Sequence, residues 1–236
     1  MLSIIGKDTD MKTFTYAIGD IHGRLDILQC AIDLIELHRY ENDANAIVVF
    51  LGDYVDRGRE SRKVCNLLMA GPKTENTKWV TIQGNHEVMC LEAHSGGKSE
   101  MDFWTRNGGM ETYHSFGGRL PLSYLQWMAS LPKYYHDGKR VFVHAGIKNG
   151  VPFDHQPEAV IQWIRYPDNC EIESDKGYVV HGHTPIFNGP LILNTRCDLD
   201  VGGYKTGRVC VAVFDNDIEG KPIELLEYSL GFDADV

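Results

Sequence analysis

Five short clusters carry the residue types best suited to chemistry in this chain. The first, Gly19-Asp20-Ile21-His22-Gly23, sets a carboxylate and an imidazole two residues apart, so both can lean toward one point and offer oxygen and nitrogen to a metal ion. The second, Gly52-Asp53-Tyr54-Val55-Asp56-Arg57-Gly58, brings two carboxylates and a guanidinium together, and Arg57 suits a planar, two-pronged grip on phosphate oxygens. The third, Gly84-Asn85-His86-Glu87, adds an amide oxygen that can coordinate a cation without adding charge, and a histidine able to act as acid or base. His144 and the His181-Gly182-His183 triplet complete the set. Each cluster taken singly has a plainer reading: a turn whose Asp bonds its own backbone, a solvated loop with a local Asp–Arg pair, an ordinary Asn-His turn. Their common placement changes the balance.

That placement follows from the segments between them. Tyr16-Ala17-Ile18, residues 47–51 and residues 79–82 are apolar runs of strand character, and each runs directly into a Gly-led cluster. Gly19, Gly52 and Gly84 are separated by 33 and 32 residues, enough for a strand, a helix and the return to a parallel neighbour. Leu25, Leu28, Ile32 and Ile35 recur at intervals of three and four and predict an amphipathic helix in the first gap. Val64, Leu67 and Leu68 predict another in the second, stopped by Gly71-Pro72. Val141-Phe142-Val143 and Tyr178-Val179-Val180 are further strands, ending in His144 and in the 181–183 triplet. Five predicted strands thus present ligand-type side chains at their carboxyl ends, the edge where open α/β sheets bind ligands, and chance is a poor account of all five.

Residues 92–139 differ, with glycine pairs at 96-97, 108-109 and 117-118 and a helical piece from Pro121 to Leu131. They read as a cap over one side of the site, within a single domain spanning 1–236. Residues 209–214 and 223–228 flank Asp215-Asn216-Asp217 as a hairpin, expected to close a second sheet.

With 236 residues, 43% of them apolar, the chain can bury a full core as one large α/β domain. A formal charge of −10 opposes broad binding to nucleic acid or to an anionic membrane. No segment approaches roughly 18 consecutive apolar residues. Leu2, Ile4 and Ile5 are too few for the apolar core of a signal peptide, so a soluble cytoplasmic protein is expected. The six cysteines are scattered without a C-x-x-C pair, which suggests neither a disulfide framework nor a thiolate zinc site.

In this order and spelling, GDIHG, GDYVDRG, GNHE, HAG and HGHTP resemble the signature of the PPP phosphoprotein phosphatases, within the calcineurin-like metallophosphoesterases, and above all their compact bacterial and phage members. The likeness runs from Thr15 to Phe214. It implies an α/β fold of two mixed β-sheets packed as a sandwich and flanked by helices. It also implies that Asp20 and His22 hold one metal ion, that Asp53 bridges, and that Asn85, His144 and His183 hold the other. Arg57 and Arg165, the latter in Trp163-Ile164-Arg165, would grip the phosphoryl oxygens, while His86 protonates the leaving oxygen and Asp56 orients His86. His181 matches no ligand position and is expected behind the ligands; Asp200 stands in Leu199-Asp200-Val201-Gly202 where family members have Asp-Thr-Gly, and is kept outside the catalytic set. His38, His94, His114, His136 and His155 carry no motif and are expected at the surface, with His94 a candidate for lining the cleft.

The two ions would be divalent, with Mn²⁺ first and Fe or Zn²⁺ as alternatives, because imidazole donors favour these over Ca²⁺ and Mg²⁺. The reaction implied is hydrolysis of a phosphate monoester by direct attack of a hydroxide bridging the two ions. Its substrate would be a phosphorylated protein, at serine or threonine with dual specificity open, or a small phosphoester. The alternative enzyme is a symmetrical diadenosine tetraphosphate hydrolase; from another class, an inactive relative would serve as a binding module. No obligate regulatory subunit is expected.

Overall fold

The computed structural model describes residues 11–230, so Leu2, Ile4 and Ile5 lie outside the described residues. Two five-stranded mixed sheets form its centre. The first contains β1 (Thr13–Ile18), β2 (Asn45–Phe50), β3 (Thr77–Thr81), β9 (Arg208–Asp215) and β10 (Glu224–Ser229), in the order β10-β9-β1-β2-β3. The second contains β4 (Tyr134–His136), β5 (Arg140–Val143), β6 (Tyr178–His181), β7 (Leu191–Ile192) and β8 (Arg196–Asp198), in the order β4-β5-β6-β8-β7. β1, β2 and β3 run parallel, as do β5, β6 and β8.

Alternation along the strands fills both faces of the first sheet. Tyr16, Ile18, Val48, Phe50, Val211 and Val213 turn outward, where α1 (Leu25–Glu41) covers them with Leu28 and Ile35. Ala17, Val49, Leu51, Ala212 and Phe214 turn inward against Phe142, Val180 and Cys197 of the second sheet. Phe142 and Phe214 meet edge to face across this seam, with centroids 5.8 Å apart. Truncating either to alanine would cost about 3–5 kcal/mol, since neither sheet can collapse freely into the space.

The predicted helices stand where the spacing placed them, α1 and then α2 (Ser61–Ala70), which ends at Gly71 in a left-handed conformation with φ 75°. The hairpin of β9 and β10 departs from expectation, because it joins the first sheet rather than closing the second. The reason lies in β9 itself. Seven of its eight residues are buried, so it needs an interior position covered on both faces, and pairing with β1 supplies one; β10, mostly exposed, takes the edge.

Helices α3 (Asn85–Ser95), α4 (Lys98–Trp104) and α6 (Leu122–Ser130) gather around buried Trp104, Met89 and Met128, while α5 (Met110–Ser115) packs beside α2. The 92–139 stretch is therefore largely helical, although its last strand, β4, is an edge of the second sheet. Short helices α7 (Glu158–Trp163) and α8 (Gly203–Thr206) follow β5 and β8. No helix among the described residues is long and apolar enough to cross a membrane.

Candidate active site

The loops leaving β1 and β2 are bonded to one another through their backbones. Ile21 and His22 both donate N–H to the Asp53 carbonyl, at 3.2 and 2.8 Å, and Gly23 donates to the Tyr54 carbonyl at 2.9 Å. Glu87, wholly buried, fastens the loop after β3 to the same point. Its carboxylate accepts the backbone N–H groups of Asp53, Tyr54 and Gly84 at 2.9, 2.8 and 2.9 Å. Position 84 must lack a side chain, because a Cβ there would stand 2.2 Å from Asp53 Oδ1. Of the six described non-glycine residues with positive φ, five belong to this site: His22, Asp53, Asp56, Arg57 and His183. Such backbone persists only where the surroundings over-determine it, and it gathers at functional sites.

Donor atoms of metal-ligand type converge on Asp53. Its Oδ2 lies 3.6 Å from His22 Nε2 and its Oδ1 lies 3.4 Å from His144 Nε2, while Asp20 Oδ2 is 3.7 Å from His22 Nε2. Asp53, His144 and His183 bring donor atoms within 4.8 Å of one another. Backbone contacts set the imidazole tautomers. His22 Nδ1 donates to the Val55 carbonyl at 2.9 Å and His144 Nδ1 to the Leu51 carbonyl at 2.7 Å, which leaves each Nε2 as a lone pair. Burial holds both rings below the usual histidine range, so both are neutral. His144 Nε2 then faces Asn85 Oδ1 at 2.7 Å, acceptor against acceptor. Among the described residues His183 Nε2 is buried without a hydrogen-bond partner. Facing acceptors and an orphaned ring nitrogen are what a cation would satisfy, and the oxygen and nitrogen donors fit a divalent first-row ion.

The charges point the same way. Burial opposes ionisation of Asp53, but positive charge from any proton carried among the facing imidazoles of His144, His86, His22 and His183 outweighs it and holds this carboxyl well below the ordinary range. Asp20 is driven up by burial and then by Asp200 and Asp53. Asp198 rises through burial and the nearby Asp200, and Asp200 is itself pushed up to about 6 by burial. Three buried carboxyls on one side of Asp53 thus resist ionisation in the absence of positive charge.

His86 Nε2 also comes within 4.8 Å of donor atoms of His22 and Asp53, so a cation could be imagined among those three. Two features bear on the role of His86. Arg57 is lodged there, donating Nη1 to His22 Nε2 at 2.8 Å and Nη2 to His86 Nε2 at 3.1 Å. Moreover, burial works to lower the affinity of His86 for its proton, yet Asp53 and Asp56 overcome it and raise that affinity. A ring whose proton affinity is raised suits proton transfer better than ligation.

Asp56 is the anchor of that ring. Its Oδ2 accepts from His86 Nδ1 at 2.7 Å, and its carboxylate also accepts from Thr112 Oγ1 at 2.7 Å and from Trp104 Nε1 at 3.0 Å. Through these two residues α4 and α5 brace the site, and Arg57 donates its N–H to the Gly108 carbonyl between them. The Arg57 guanidinium lies over the Tyr204 ring at 4.8 Å. Arg165 stands exposed after α7, with no hydrogen bond or ion pair among the described residues. Its charge nevertheless reaches His144 and His183, adding to the burial that depresses both.

His181 is engaged elsewhere, its Nε2 accepting from Arg196 Nη1 at 3.0 Å. His94 is half-buried against Trp104 and bonds the Cys90 carbonyl, while His38 is half-buried and bonded to the Tyr16 hydroxyl; neither is the surface residue expected. His114, His136 and His155 are exposed. Glu87, Trp104, Thr112, Tyr204 and Asp198 are the neighbours that sequence reasoning left without a role. Glu87 alone carried a signal, as the acid that closes the third cluster.

A sandwich of two mixed sheets whose parallel carboxyl edges gather Asp, His and Asn around a central carboxylate defines a metallophosphoesterase. A model of the calcineurin-like phosphoesterase family matches residues 15–219, and the chain belongs to that family. It is 35% identical over 95 residues to serine/threonine-protein phosphatase 2 of Escherichia coli, which covers 40% of this chain and 38% of that one. It is 27% identical over 166 residues to a serine/threonine-protein phosphatase of Caenorhabditis elegans, covering 65% and 34%. In each case the match spans little more than a third of the relative's length. It is also 26% identical over 220 residues to an asymmetrical bis(5'-nucleosyl)-tetraphosphatase of Anoxybacillus flavithermus, covering 78% and 84%. Among solved structures, the fold matches a candidate diadenosine tetraphosphatase with TM-score 0.63 at 18% identity, over 93% of this chain and 98% of that one. A serine/threonine phosphatase from Saccharomyces cerevisiae matches with TM-score 0.59 at 15% identity, over 97% and 84%.

Proposed function

We propose that this chain is a phosphomonoesterase that removes phosphate from serine and threonine side chains of proteins, with phosphotyrosine as a secondary substrate. In this reading Asp20 and His22 would hold one divalent cation, Asn85, His144 and His183 would hold a second, and Asp53 would serve both. Two such ions, Mn²⁺ by preference, supply charge for the phosphoryl oxygens and an activated water. Arg57 and Arg165 bind the remaining oxygens of the phosphoryl group, His86 gives its proton to the leaving oxygen, and Asp56 orients His86 and stabilises its charged form. The helices of 92–139 brace the Asp56–Arg57 turn.

The observation that carries this reading is the Arg57 fork, which donates to Nε2 of the metal-type His22 and to Nε2 of His86. A phosphoryl group entering there would exchange the two ring nitrogens for its own oxygens as partners of the guanidinium. The bacterial serine/threonine phosphatase relative supports the protein substrate.

A second reading, hydrolysis of dinucleoside tetraphosphates, is favoured by the relative whose match covers most of both chains. One assay separates the two: kcat/KM with added Mn²⁺ for phosphoserine, phosphothreonine and phosphotyrosine peptides beside diadenosine tetraphosphate. Preference for the peptides supports the first reading. Preference for the dinucleotide overturns it, and the products then tell symmetrical cleavage, giving two ADP, from asymmetrical cleavage, giving ATP and AMP.

A further inference from the structure

In the reaction proposed above Arg165 holds a phosphoryl oxygen, yet its guanidinium is exposed and unpaired among the described residues, so its location depends on the backbone around it. Two buried or half-buried side chains hold that backbone. Arg196, only 2% exposed, reaches across from β8 and donates Nε to the Cys170 carbonyl at 2.6 Å and Nη2 to the carbonyls of Pro167 and Asp168 at 3.1 and 3.3 Å. Its Nη1 donates to His181 Nε2 at 3.0 Å, and its guanidinium lies over the Tyr166 ring at 5.0 Å. Tyr166 in turn accepts the Ile147 N–H at 2.6 Å and donates to the Ile147 carbonyl, tying the same segment to the loop that follows His144. Trp163, two residues before Arg165, sits with its ring 6.3 Å from that of His183.

From these contacts we infer that Arg196 is a positioning residue for substrate phosphate, acting through the segment 163–170 to aim Arg165 at the site. The inference rests on the phosphate-binding role proposed above for Arg165. A guanidinium is needed because the carbonyls lie on different peptide units and the ring nitrogen is a further acceptor; a lysine ammonium cannot span them in one plane. A purely stabilising arginine would make the same bonds, so the two roles have to be separated by coupling rather than by loss of activity alone.

The test is a double-variant cycle on Arg165→Ala and Arg196→Lys, read as kcat/KM on a phosphoserine peptide, with metal content and melting temperature measured for every variant. Arg165→Ala should lose about 10²-fold, as for removal of one transition-state donor. Arg196→Lys should lose about 10-fold, because misplacement on the ångström scale is enough to do so. In the double variant the loss should equal that of Arg165→Ala alone within about twofold. Multiplying losses would overturn the inference and make Arg196 a structural residue. Full activity of Arg165→Ala would instead remove the phosphate role of Arg165, and with it the basis of the inference. Should Arg196→Lys fail to fold, Tyr166→Phe loosens the same segment without burying a new charge and must show the same non-additivity with Arg165→Ala.

Discussion

His86 Nδ1 donates to Asp56 Oδ2 at 2.7 Å, with Asp56 fully buried, and this leaves Nε2 facing the Arg57 fork at 3.1 Å, the nitrogen that would carry the transferable proton once a phosphoryl group takes over the guanidinium. Proton donation matters most when the departing oxygen would otherwise leave as a strong base. His86→Asn should therefore lose more rate on a phosphoserine peptide than on p-nitrophenyl phosphate, by a differential of about 10²-fold. Asp56→Asn should show the same bias more weakly, and Trp104→Phe and Thr112→Val more weakly again, since they act by holding Asp56. Equal slowing on both substrates, with metals bound, would make His86 a phosphate-positioning group.

Metal removal is the second test. Exhaustive chelation should abolish turnover and Mn²⁺ should restore it, and Asp53→Asn should be the most damaging ligand change because it alters the only carboxylate proposed to touch both ions. Glu87→Gln should behave differently. It replaces one of the oxygens that receive the Asp53, Tyr54 and Gly84 N–H groups, so Mn²⁺ affinity should fall by about 10- to 100-fold while activity recovers at saturating Mn²⁺. Isothermal titration beside activity distinguishes the two behaviours.

Arg57 spans two ring nitrogens with a planar fork and stacks on Tyr204. Arg57→Ala should lower kcat/KM by about 10²-fold with metal content intact. Arg57→Lys should recover little of it, because an ammonium can neither fork nor stack in the same way. Recovery to near wild-type rate would reduce Arg57 to a point charge.

Metal-free protein should reveal the buried acidic cluster through pH. Asp200 is pushed up to about 6 by burial, so its ionisation disfavours the folded state. A carboxyl raised on folding contributes stability that is complete below the unfolded pKa near 4 and lost as pH rises through about 6. Asp200→Asn should therefore raise the melting temperature of the metal-free protein at pH 7.5, by roughly 5 °C. The gain should vanish at pH 3.5, where Asp200 is already protonated in both states. A gain of equal size at both pH values would place its origin outside the ionisation of Asp200.

Periodicity and order were enough to identify the strands that end at Asp20, Asp53, Asn85, His144 and His183, the helices between the first three, and the family signature they spell. These are local properties: alternation, three-and-four spacing and a Gly-led turn are written in neighbouring residues. Which sheet a strand joins is a different kind of fact. The 209–214 run has the alternation of a strand wherever it goes, and only packing on both faces, with α1 on one side and Phe142 on the other, puts it beside β1. The same limit hid Trp104 and Thr112, which meet Asp56 across 48 and 56 residues, and Arg196, which reaches Pro167 across 29. The chain thus determined its ligand-type residues and the elements that end in them through short-range pattern, while the bracing of those residues arose only in three dimensions, because a hydrogen bond between distant segments leaves no spacing in the sequence.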